Sequence, residues 1–159
     1  MEKIKTKELL KLAMRNEDFS YDIYFRMAVI DEYLKGNEAI WELYSLMQHT
    51  RCSKNKNIPR NMIEHKEEFI ELINNFKENG FDFNNPILVN KDGLIIDGAH
   101  RMACALYFKA PEVSITTKEE CLEFKPNDYK KTWFEQNNLS ECIPYAEKQK
   151  RLTRRRKDV

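Results

Sequence analysis

Five consecutive residues, Asp97-Gly98-Ala99-His100-Arg101, bring a carboxylate, an imidazole and a guanidinium to a point where a β-type run gives way to a helical period. Ile95-Ile96 reads as the end of a buried strand, while Met102, Ala105, Leu106 and Phe108 recur at helical spacing. A helix that begins here has backbone N–H groups without internal partners, and its dipole favours an anion. Gly98 allows a tight turn, positive φ included, and puts no Cβ in the path of a ligand. His100 and Arg101 add side-chain donors at the same mouth, and arginine matches phosphate in a bidentate fashion. Either residue alone at a helix start is ordinary. Their joint spacing is what points to a phosphate site.

A second group lies upstream. Tyr21–Arg26 and Tyr44–Arg51 are dense in aromatics mixed with Arg, His, Asp and Gln. A purely structural pair of helices could carry them. The functional alternative has Asp22, Arg26, Gln48 and Arg51 pointing inward as walls of an acceptor pocket. Asp31, Glu32 and Glu42 are further carboxylates able to serve as a base, and the pattern does not choose among them.

The elements that must position these groups follow from periodicity. Leu9, Leu10 and Ala13 mark a short first helix, and Ile23, Met27, Ile30 and Leu34 form one face of a second. Gly36 supplies a stop and Asn37 a cap for a third helix with Ile40, Leu43, Tyr44 and Met47 on one side. The segment Arg51–Pro59 reads as a polar loop, with Pro59 starting the next helix. Phe69, Leu72, Ile73 and Phe76 then form a stripe that ends at Asn79-Gly80. Pro86–Val89, the turn Lys91-Asp92-Gly93 and Leu94–Ile96 read as a hairpin. Val113–Ile115 is a further strand, and Tyr129–Phe134 and Ser140–Arg156 are two closing helices.

Composition narrows the class. The chain has 159 residues, a third of them charged, with no stretch near the roughly 18 apolar residues a membrane span needs. Its N-terminus is charged and amphipathic, unlike an apolar signal core, so a cytoplasmic protein is expected. Cys52, Cys104, Cys121 and Cys142 are widely separated, lack zinc-site spacing and are expected to be free thiols. Glu147–Asp158 holds seven basic against two acidic residues, net +5; with +1 on the whole chain, the rest carries −4. An acidic body with a basic tail disfavours a body that grips nucleic acid.

The segment from 66 to 115 resembles the ParB/sulfiredoxin superfamily in the order of its parts. These are the helix ending at Gly80, Asn85-Pro86-Ile87-Leu88-Val89, Leu94–Ala105 with its G-x-[HR]-R-x-x-A element, and Glu112–Ile115. The resemblance implies an α+β fold, a small sheet with packed helices. The chain has the length of a single domain, read as a helical N-terminal extension (1–63), the core that carries the resemblance (64–118), C-terminal helices (119–146) and a basic tail (147–159). Sulfiredoxins need a cysteine where this chain has Ala99. Chromosome-partition proteins carry G-E-R-R and a following DNA domain, for which the residues after Ile115 are too few. Free serine kinases carry D-G-H-H-R, which Asp97, Gly98, His100 and Arg101 match and Ala99 does not.

By that resemblance the chain is expected to be a kinase for a small molecule: an amino acid, sugar or polyol. The donor would be ATP or ADP, or CTP, with Mg²⁺. Gly98, Ala99, His100, Arg101 and Met102 would bind the phosphates, and Asp97, His100 and Arg101 would be catalytic. Asp97 would hold the metal or take the acceptor's proton. Similarity to small proteins of surface-polysaccharide biosynthesis points to a sugar or polyol acceptor. The alternative is a non-enzymatic nucleotide-binding or DNA-associated module that uses the basic tail.

Overall fold

Four short strands, far apart in the chain, meet in one mixed sheet. The computed structural model describes residues 1–14, 20–54, 62–118 and 130–155, without the side chains of 52–54 and 62–64. Among these, β1 (Glu2–Lys5), β2 (Ile87–Val89), β3 (Ile95–Asp97) and β4 (Glu112–Thr117) lie in the order β1-β4-β2-β3. β1 is antiparallel to β4, with Ile4 opposite Val113. β2 is parallel to β4, with Ile87 opposite Ile115, and β3 returns antiparallel to β2. Seven α-helices complete the described residues: α1 (Thr6–Ala13), α2 (Asp22–Leu34), α3 (Ile40–Lys54), α4 (Met62–Asn79), α5 (Ala99–Tyr107), α6 (Lys131–Gln136) and α7 (Ile143–Arg155). The class is α+β.

The local signals act where they were expected. Gly36 adopts φ +82° after α2, and Asn37 Oδ1 accepts the Ala39 N–H at 3.2 Å before α3. Gly80 closes α4 with φ +74° and donates to the Phe76 carbonyl at 2.8 Å. In the hairpin turn, Asn90 Oδ1 accepts the N–H groups of Asp92 and Leu94, which fixes how β3 leaves β2.

Four expectations need correction. The N-terminal segment is not helical throughout, because β1 adds an edge strand to the sheet beside β4. The second helix does not bury one face only. Asp22 through Ile30 are buried without a break, and Leu34 is 37% exposed. α3, α5 and α7 all pack on α2, so it is the central helix, and a helix covered on all sides loses the one-sided pattern. α3 runs on to Lys54, past the expected loop start at Arg51. Last, a boundary at 147 falls inside α7. There Ala146, Gln149 and Lys150 are buried, and Tyr21 Oη donates to Glu147 Oε1 at 3.0 Å. Only the outer side of the basic run, with Lys148, Arg151, Arg154 and Arg155, is exposed.

The final helix is also preceded by a 3₁₀ turn over Ser140–Cys142. Cys104 and Cys142 are free and buried. No helix among the described residues is long and apolar enough to cross a membrane. Pro59, Cys121, Tyr129 and the end of the basic run beyond Arg155 lie outside the described residues.

Candidate functional site

β3 ends on Asp97, whose side chain is exposed, and α5 starts two residues later. Between them Gly98 takes φ +116° and ψ 21°. A Cβ at that position would lie 2.9 Å from Arg101 Nη2 and 3.2 Å from Ile87. Glycine is therefore favoured by the backbone conformation, and the place of its missing Cβ is closely approached by Arg101 and Ile87. The first helical bond is Met102 N–H to the Gly98 carbonyl at 2.8 Å, and no side chain caps the helix start. The N–H groups of Ala99, His100 and Arg101 consequently have no partner within the helix. Arg101 folds back beside them. Its Nη2 donates to the Pro86 carbonyl at 3.1 Å, and its Nε is buried without a hydrogen-bond partner.

Behind this mouth lies a buried polar network centred on Arg26, which is 1% exposed. Each of its three nitrogens has a different partner. Nη1 pairs with Asp22 Oδ2, Nη2 donates to Gln48 Oε1 at 3.2 Å, and Nε donates to His100 Nε2 at 3.3 Å. Tyr44 Oη lies 2.8 Å from the same imidazole nitrogen. Gln48 Nε2 meets His65 Nδ1 at 3.1 Å; since the Gln48 oxygen accepts from Arg26, its amide nitrogen donates to His65. Arg51 Nη1 stands 3.5 Å from Asp22 Oδ2, while Asp22 Oδ1 is buried without a hydrogen-bond partner. Phe69 packs edge-on against the imidazole with 4.7 Å between ring centroids, and Trp41 and Tyr44 close the aromatic wall.

Burial is the main influence that holds the His100 pKa well below 6.5, and Arg26, Arg51, His65 and Arg101 push it the same way. Burial likewise raises the Tyr44 hydroxyl to about 12, so it keeps its proton. The depressed imidazole has a consequence for stability. Between the folded value and the unfolded value of about 6.5, the unfolded chain binds more protons, so stability rises with pH. This contribution is complete above about pH 6.5 and is lost below it, by up to about 1.4 kcal/mol per pH unit. Denaturant titrations of wild type and His100→Gln should show that slope in wild type and a flatter one in the variant. Equal slopes would mean that His100 titrates normally.

The structure gathers Asp22, Arg26, Gln48 and Arg51 around His100, but not as an open wall. Asp22, Arg26 and Gln48 are buried and stand behind the imidazole; only Arg51 and His100 keep partial exposure. Asp31 and Glu32 are engaged elsewhere, and Glu42 is exposed on α3. Asp31 accepts from Tyr107 Oη and Lys35, both at 2.8 Å, and Glu32 accepts from Asn37. His65 and Tyr44 were not singled out as site residues. His65 carried a usable signal, because it sits four residues before Phe69 on the buried stripe of α4, where a polar residue needs a polar partner.

No family model, curated protein or solved structure matches this chain.

The start of α5 fits a phosphate: helix amides without intrahelical partners and a guanidinium alongside. Among the described residues no three His, Cys, Asp or Glu side chains gather as a metal cluster. Asp97 is a single exposed carboxylate at the mouth, which suits Mg²⁺, a cation that is commonly shared between one or two carboxylates and nucleotide phosphates. A depression on the outer face of α4, lined by Glu67, Ile70, Glu71, Asn74, Asn75 and Glu78, involves none of these residues.

Proposed function

We propose that the chain is a nucleotide-dependent kinase for the hydroxyl of a small molecule, with the phosphates bound on the N-terminus of α5. One observation carries this most directly. The uncapped amides of Ala99–Arg101 stand at one helix start with the folded-back Arg101 and the exposed carboxylate of Asp97. The order of parts from the Gly80 stop through Pro86, the hairpin, Gly98 and β4 supports kinship with the ParB/sulfiredoxin superfamily. The match at Asp97, Gly98, His100 and Arg101 favours its free serine kinase branch.

In this reading the acceptor's hydroxyl oxygen attacks the terminal phosphorus of the bound nucleotide. The bond from that phosphorus to the bridging oxygen breaks, and the nucleotide leaves one phosphate shorter. Asp97 takes the hydroxyl proton, or helps to hold Mg²⁺, which when bound offsets phosphate charge. The amides and Arg101 stabilise charge on the equatorial oxygens. His100, being neutral, adds a hydrogen bond rather than a charge. A DNA-associated role would instead fall on exposed Lys148, Arg151, Arg154 and Arg155 of α7, and its binding would drop steeply as salt rises.

The first test is a thermal-shift screen of ATP, ADP and CTP with and without Mg²⁺. A nucleotide at 100 times its Kd stabilises by roughly 2.7 kcal/mol, which for a chain of this size raises Tm by roughly 5–11 °C. No shift with any of the three at millimolar concentration would remove the kinase reading.

A further inference from the structure

Arg26 and Tyr44 meet His100 at one nitrogen, and elementary hydrogen-bond chemistry turns that meeting into a statement about where the imidazole proton is. A guanidinium Nε–H can only donate, so His100 Nε2 must accept it at 3.3 Å. Tyr44 Oη has one proton and two candidate acceptors, His100 Nε2 at 2.8 Å and the His65 carbonyl at 3.4 Å. The nearer one takes it. With its lone pair facing two donors, Nε2 has no room for a hydrogen of its own. The ring's remaining proton lies on Nδ1, the nitrogen next to the side chain's attachment to the backbone. His100 is the second residue of α5 and so stands beside the helix N-terminus.

We propose that Arg26 is a positioning residue: its Nε–H, with the Tyr44 hydroxyl, fixes His100 as the Nδ1–H tautomer, so that His100 meets a bound phosphate as a hydrogen-bond donor and never as a base. The last clause rests on the phosphate site at α5; the tautomer does not. Arg26 is itself held on both flanks. Asp22 takes Nη1 and Gln48 takes Nη2, and the Gln48 amide is oriented in turn by His65. Donation therefore runs outward from Arg26 along both arms. Reversing it at His100 would set an N–H against an N–H. Behind the imidazole the Asp22 carboxylate is engaged by Arg26 and Arg51, and the groups that act on the ring's charge are Arg26 on α2, Arg51 on α3, His65 on α4 and Arg101 on α5. Each disfavours a second proton on the ring. The long helical segment before the core thus reaches the candidate site through one buried side chain.

The test is long-range ¹H–¹⁵N correlation NMR of the histidine rings, assigned with His100→Gln, in the full-length wild-type protein. His100 should show a protonated Nδ1 and an unprotonated Nε2 throughout about pH 6–8. A protonated Nε2 in the wild type would overturn the proposal, whatever the protein binds. In the double variant Asp22→Asn/Arg26→Gln, which removes the ion pair as a unit, Nε2–H should become populated. His100 should then gain its second proton at a higher pH than in the wild type. Tyr44→Phe keeps Arg26 in place and should retain the Nδ1–H form; a switch to Nε2–H there would assign the control to Tyr44 and overturn the role of Arg26. With ATP and Mg²⁺ added to the wild type, the Nδ1 resonance should move more than Nε2. If the tautomer is as described and ATP does not bind, the clamp stands and the kinase reading falls.

Discussion

Replacing Arg101 with alanine should weaken binding of ATP, ADP or CTP with Mg²⁺ by about ten- to a hundredfold. Its guanidinium lies across the Gly98 turn, within 2.9 Å of where a Cβ there would sit, and its Nε is buried without a partner. A phosphate on the amides of α5 would lie beside this guanidinium. A charge-assisted contact of this kind is worth roughly 1.5–3 kcal/mol, and each 1.4 kcal/mol is tenfold in affinity. Arg101→Lys should restore only part of the loss, because a point charge cannot reproduce the fork. The bond to the Pro86 carbonyl also ties α5 to the start of β2. Titrations should therefore be read beside the Tm of each variant, so that lost affinity is not mistaken for lost fold. Unchanged affinity in a folded Arg101→Ala protein would remove the phosphate site.

The largest effect on stability is expected at Asp22. Asp22→Ala leaves the Arg26 guanidinium buried without its carboxylate, and breaking a buried pair in this way typically costs about 3–5 kcal/mol. For a chain of this length that lowers Tm by roughly 6–20 °C. The cost is in the unpaired charge more than in the pair itself. The double variant Asp22→Leu/Arg26→Leu should accordingly recover much of the loss, while Arg26→Leu alone should not, since it strands Asp22. Thermal unfolding of wild type, Asp22→Leu, Arg26→Leu and the double variant makes a double-mutant cycle. Additive losses would show that the two residues do not depend on each other and that the network is not the unit described.

What could be read from the sequence, and what could not, divides along physical lines. The turn at Asp97-Gly98 was legible because its cause is local: a β run stops, a glycine takes φ +116°, and a helical period starts. The Gly36, Gly80 and Lys91-Asp92-Gly93 signals were legible for the same reason. β1 was not, because Lys3-Ile4 has one partly buried apolar residue, and its partner β4 lies more than a hundred residues away. The full burial of α2 was hidden too, since it follows from α3, α5 and α7 closing on it. The inward residues Asp22, Arg26, Gln48 and Arg51 could be nominated from their density among aromatics. Their order in depth could not, and it changes what they can touch: Asp22, Arg26 and Gln48 support His100 from behind. The basic run misled in the other direction, because a stretch of Lys and Arg looks solvated from end to end, yet Lys150 is 8% exposed and lies 5.9 Å from the Tyr21 ring centroid.

The most direct measurement of where a nucleotide's phosphates go is backbone amide NMR of the wild-type protein titrated with ADP and Mg²⁺ at physiological salt. The largest shifts should fall on the N–H groups of Gly98 through Met102, saturate together, and be much reduced in Arg101→Ala. Shifts that leave those amides unmoved and gather instead on the exposed basic side of α7, around Lys148, Arg151, Arg154 and Arg155, would contradict a phosphate site at the start of α5.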